Sequence, residues 1–112
     1  MGFVKVAKLS QLESGWAIEV QVKGKPYALC NADGHIHALC GECPCTGGPL
    51  GFGSIREGQL VCPWHGWRFD YTTGVMQYDD SIAIPTYPVK VVGEDIYIDV
   101  AKPGRRNGEP LQ

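Results

Sequence analysis

The sequence predicts an all-β domain of short antiparallel strands. Three observations carry that reading. Fifteen glycines and eight prolines in 112 residues are too many for a helical bundle. Short runs alternate apolar and polar residues with period two, and no segment holds a helical period beyond a turn or two. Pairs such as Asp33-Gly34 separate the runs, as they do in hairpins.

The elements follow in order. Phe3 to Lys8 alternates and reads as a strand, and Leu9 to Gly15 as a loop or one helical turn. Trp16 to Val22 alternates again, placing Trp16, Ile18, Val20 and Val22 on one face. Lys23 to Pro26 is a turn. Tyr27 to Asn31 and His35 to Cys40 are strands joined at Ala32-Asp33-Gly34. Gly41 to Gly53 loses all periodicity and reads as a long structured loop. Ser54-Ile55-Arg56 and Gln59-Leu60-Val61 flank Glu57-Gly58 as a short hairpin. A second loop, Cys62 to Gly66, leads to a hairpin of Trp67 to Tyr71 and Val75-Met76. Tyr87 to Val92 and Asp95 to Val100 close the domain around Gly93-Glu94.

The length allows one domain, residues 1–100, followed by a polar tail, 101–112, that reads as disordered. Formal net charge is -2, and no basic cluster argues for nucleic acid. The tail holds three of the ten basic and one of the twelve acidic residues, which leaves -4 on residues 1–101. No apolar run approaches the ~18 residues of a membrane span. Met1 to Lys8 lacks a signal-peptide core, so the expected compartment is cytoplasmic and reducing.

Five cysteines are the informative feature: Cys30, Cys40, Cys43, Cys45 and Cys62. The number is odd and three cluster within six residues, which disfavours a disulfide framework and favours metal. Two loops carry candidate ligands, Cys43-Pro44-Cys45-Thr46-Gly47-Gly48-Pro49-Leu50 and Cys62-Pro63-Trp64-His65-Gly66-Trp67. One hairpin between them returns the chain to the same place and offers Cys43, Cys45, Cys62 and His65 together. Cys30 alternates inward and reads as a small buried hydrophobe. Cys40 is a weaker substitute ligand, because Cys43 fits the spacing better. His35 and His37 read as solvated strand residues, and Asp79-Asp80 as a solvated turn. No hydrolytic triad or acid/base pair is visible.

These two boxes, with Arg68-Phe69-Asp70, Thr73-Gly74 and Ala83-Ile84-Pro85, resemble a Rieske-type 2Fe–2S protein. The family's pattern is Cys-x-His, a spacer of similar length, then Cys-x-x-His. The resemblance implies an antiparallel sandwich or barrel-like base with a small cluster-binding subdomain, about residues 39–70. It also implies that Cys43 and Cys62 bind one iron of a 2Fe–2S cluster and that Cys45 and His65 bind the other. Cys45 stands where the family has its first histidine, so the set becomes three thiolates and one imidazole. The added negative charge lowers the reduction potential relative to a histidine there. Rieske centres span about -150 to +300 mV, and plant-type all-cysteine centres lie near about -400 mV. High-potential relatives carry a disulfide between the loops. Gly48 and Trp64 occupy those positions here, and Trp67 and Phe69 replace a serine and a tyrosine that hydrogen-bond the sulfurs.

The resemblance to dioxygenase ferredoxins implies a monomeric one-electron carrier, not itself an enzyme, working between a reductase and an oxygenase-type partner, with no membrane. Two rivals stay open. One is a non-redox accessory domain resembling the small subunit of nitrite reductase. The other is a zinc-binding structural domain, since three cysteines and a histidine also suit zinc. An engineered His-to-Cys replacement at Cys45 would leave the same sequence.

Overall fold

The computed structural model describes residues 3–45 and 47–101. Tail residues 102–112, read above as disordered, lie outside the described residues. Ten strands form three antiparallel sheets, with two 3-10 turns and no α-helix among the described residues. The strands are β1 (Val4–Lys8), β2 (Ala17–Val22), β3 (Lys25–Ala32), β4 (His35–Cys40), β5 (Ser54–Arg56), β6 (Gln59–Val61), β7 (Arg68–Asp70), β8 (Thr86–Tyr87), β9 (Val89–Val92) and β10 (Asp95–Ile98). The sheets run β1-β10-β9, β2-β3-β4-β8 and β5-β6-β7. The 3-10 turns are Leu9–Gln11 and Leu50–Phe52.

Local sequence explains the hairpins. At Lys23-Gly24, Asp33-Gly34 and Glu57-Gly58 both residues take positive φ, between 51° and 89°. That is the two-residue turn whose twist matches the flanking strands. It sets the β3–β4 register, with Tyr27 opposite Cys40 and Cys30 opposite His37.

β3 is the spine of the molecule. Tyr27 to Asn31 are all buried, because each face of the strand meets its own core. Ala28 and Cys30 pack with Leu39, Leu50, Leu60 and Phe69. Tyr27 and Leu29 pack with Ala7, Leu12, Ile96 and Ile98. A strand covered on both sides reads as a nearly continuous apolar run, and this one does. Asn31 is its polar exception. Its side-chain amide donates to the Leu12 carbonyl at 2.9 Å and its Oδ1 accepts from the Gly34 N–H at 2.7 Å, so no polar atom is stranded.

Several expectations need correction. The strand expected from Trp16 starts at Ala17, and Trp16, just before it, is 63% exposed. Its carbonyl accepts from the Asn31 N–H at 3.0 Å. The single strand expected over Tyr87 to Val92 is split at Pro88, which has no N–H for the ladder. Val75-Met76 makes only isolated bridges, Phe69 to Met76 and Val75 to Ala83. His37 is half-buried, with its ring 4.7 Å from that of Tyr71. Burial and the neighbouring His35 lower its pKa, against an opposing pull from Asp70. Asp79 does lie in an exposed turn, where it accepts from the Ser81 N–H and hydroxyl.

Candidate metal centre

The first cysteine loop follows β4, the second joins β6 to β7, and the two share one hydrogen-bond pattern. In the first, the Cys43 N–H donates to the Gly48 carbonyl at 2.8 Å, and the Gly47 N–H donates back to the Cys43 carbonyl at 2.9 Å. In the second, the Cys62 N–H donates to the Trp67 carbonyl at 2.8 Å, and the Gly66 N–H to the Cys62 carbonyl at 3.0 Å. Each loop thus closes five residues beyond its first cysteine. Each has glycine at the fourth position, with φ of 85° at Gly47 and 75° at Gly66, a conformation costly for any other residue. The local sequence therefore builds two equivalent knuckles.

The fold sets the knuckles face to face. The Sγ atoms of Cys43, Cys45 and Cys62 lie within 4.8 Å of one another, and Cys45 Sγ is 3.8 Å from Cys62 Sγ. Cys43 and Cys62 are each 1% exposed, while Cys45 is half-buried. His65 lies on the exposed side of the second loop, outside this thiol group. Trp64 beside it is exposed, and Trp67 packs inward with its ring 6.5 Å from that of Phe69. Of the four residues singled out by sequence, three converge and the fourth stands at the rim.

Burial, reinforced by the facing thiols of Cys45 and Cys62, pushes the Cys43 thiol up. A thiol held protonated this way becomes a thiolate when a cation supplies the opposing charge. Cys30 sits in the core, and burial raises its thiol to about 12 although a backbone contact at His37 works the other way. Cys40 lies outside the group and donates to the Glu42 carbonyl at 3.8 Å.

Gly48 has a part that sequence reasoning missed. A Cβ there would sit 2.6 Å from Cys62 Sγ and 3.4 Å from the Cβ of Trp64. The missing side chain is what leaves room for the Cys62 sulfur. The adjacent glycines of Gly47-Gly48 were the available signal, one for the turn and one for the close approach.

Comparison with known proteins agrees with this geometry. The family model for the Rieske [2Fe-2S] domain matches residues 2–88. The ferredoxin component of the naphthalene 1,2-dioxygenase system of Pseudomonas aeruginosa is 30% identical over 100 residues, covering 88% of this chain and 96% of that protein. Human apoptosis-inducing factor 3 is 32% identical over 98 residues, but there the chain spans only 16% of the relative's length. The solved ferredoxin of carbazole 1,9a-dioxygenase from Nocardioides aromaticivorans superposes with a TM-score of 0.79 at 26% identity, over 88% of this chain and 97% of that one.

The donor set suits the group that the family name implies. Thiolate sulfur is the ligand that iron–sulfur clusters require, and imidazole is the accepted partner in Rieske centres. Here three thiols converge on one shielded point, with an imidazole on the same loop as Cys62. The chain belongs to the Rieske [2Fe-2S] domain family, and its cofactor is the Rieske 2Fe–2S cluster.

Proposed function

We propose that the chain is a one-electron carrier of the dioxygenase-ferredoxin type. In this reading Cys43 and Cys62 hold one iron, and Cys45 and His65 hold the other. The supporting observation is the convergence of three thiols within 4.8 Å at the ends of two knuckles of one design. When bound, the cluster accepts and releases a single electron.

The chain's residues supply the rest. The buried pair Cys43 and Cys62 shields the inner side from water. The thiolate of Cys45 adds negative charge where an imidazole would be neutral, which disfavours the extra electron and lowers the potential. His65, exposed at the rim, marks where electrons enter or leave and leaves one imidazole to couple potential to pH. The excess of acidic residues before the tail steers the carrier to basic partner surfaces. A reductase as donor and an oxygenase-type acceptor suit these properties, in a reducing compartment.

The test is an iron, sulfide and zinc assay on anaerobically purified protein, with visible and EPR spectra. About two irons and two sulfides per chain, with a signal that appears on reduction, support the carrier. No metal in folded protein overturns it in favour of an accessory domain. A second reading has one distance in its favour. The 3.8 Å between Cys45 and Cys62 Sγ suits an edge of a tetrahedron around one ion with bonds of about 2.3 Å. Zinc alone in the assay would establish that reading.

A further inference from the structure

Gly48 is the point at which the two knuckles touch. A side chain there would meet three atoms first: Cys62 Sγ at 2.6 Å, and Cβ and Cδ2 of Trp64 at 3.4 Å each. Gly48 belongs to the first knuckle, whereas Cys62 and Trp64 belong to the second. The indole therefore reaches across the joint and lies against the glycine beside the sulfur. Around this joint Pro44, Gly47, Pro63, His65 and Gly66 are exposed, yet Gly48 and Cys62 are buried. Core residues such as Leu60 and Phe69 pack with Cys62 on one side. A glycine has no side chain with which to keep water from a neighbouring sulfur. Trp64, itself 58% exposed, supplies that surface, and contact between sulfur and an aromatic ring is favourable in its own right.

We propose that Trp64 is a positioning residue of the metal centre, a cover that holds the first knuckle against the second and keeps water from the cluster at Cys62. The proposal rests on the electron-carrier reading above. It has two consequences. The cover slows the entry of chelators and so the loss of the cluster. It also sets the potential. With three thiolate ligands, an added electron makes the centre more negative. Water stabilises that charge better than indole carbon does, so removing the cover favours the reduced form and raises the potential.

Trp64→Ala and Trp64→Phe test this as full-length, cluster-loaded chains beside the wild type. Trp16→Ala is the control, since Trp16 is as exposed, at 63%, but stands before β2, outside both knuckles. Visible absorbance is followed anaerobically in excess EDTA, and the potential is measured by redox titration. Trp64→Ala should lose its absorbance roughly tenfold faster, the lower end of what groups around a ligand sphere contribute, and its potential should rise. Trp64→Phe should stay close to wild type in both, and Trp16→Ala should match it. Where the alanine variant does not fold, Trp64→Leu carries the same expectation in smaller measure. Wild-type kinetics and potential in Trp64→Ala overturn the proposal. Faster loss at an unchanged potential also overturns it, for Trp64 then only stabilises the fold. Equal acceleration in Trp16→Ala, or failure of Trp64→Phe to take up the cluster, overturns it too. A wild type without iron and sulfide overturns the carrier reading itself, whereas a loaded wild type confines the outcome to Trp64.

Discussion

Cys45 Sγ stands 3.8 Å from Cys62 Sγ, although the two residues are 17 apart in the chain and sit on different loops. That approach brings Cys45 into one group with the sulfurs of Cys43 and Cys62. Replacing Cys45 with histidine should therefore keep the cluster and raise its reduction potential, because one negative charge is removed from the ligand sphere. It should also steepen the dependence of potential on pH, since a second imidazole can then lose a proton. Potentiometry over a pH series checks both, and an unchanged potential would contradict the charge argument.

Gly48→Ala tests the space around Cys62. The added methyl would lie 2.6 Å from Cys62 Sγ, closer than packed atoms allow, so the sulfur or the first knuckle must shift. Iron and sulfide per chain should fall well below wild type, while the far-UV circular dichroism stays that of the folded sheets. Full cluster content in this variant would show that the loop yields at little cost.

Cys30→Ala should flatten the alkaline loss of stability. The folded-state pKa of this thiol is raised to about 12 from a reference of 9.0. The unfolded chain therefore ionises first as pH rises. The stability tied to the neutral thiol is complete below pH about 9 and is lost towards pH 12. At most about 4 kcal/mol is at stake, from about 1.4 kcal/mol per unit. Denaturation of both proteins from neutral pH to pH 11 measures it. Parallel curves would mean that the site admits water or relaxes.

Two core truncations should separate the two cores. Phe69 is fully buried in the core that also contains Cys43 and Cys62, whereas Ile96 belongs to the other. Phe69→Ala should cost about 3–5 kcal/mol and Ile96→Ala about 2–5 kcal/mol. On heating, Phe69→Ala should lose visible cluster absorbance before its far-UV signal. Ile96→Ala should lose the two together. Identical melting behaviour would show that the cores unfold as one unit.

Much of the architecture was legible because its determinants are local. Asp33-Gly34 and Glu57-Gly58 specify their turns by backbone preference alone, and the strands on either side fell within a residue or two of expectation. The spacing of Cys43, Cys45 and Cys62 marked the metal centre for the same reason. Trp16 fell just outside β2 because alternation gives the side on which a residue points but not where a strand begins. His37 looked solvated because nothing in its own strand announces the ring of Tyr71, which arrives from 34 residues away.

The sequence by itself determined the all-β class, the turns and the chemical type of the centre, since each follows from residue identity over short spans. Tertiary structure alone decided which sulfurs meet. The 3.8 Å between Cys45 and Cys62, and the space that Gly48 leaves, arise from how two knuckles are docked by a shared core. It also decided that β3 is buried on both faces and that Cys40 opens into a cavity instead of joining the other thiols. Side-chain periodicity is a property of one strand. Distances between loops are set by the packing of strands far apart in the chain, and no local pattern encodes them.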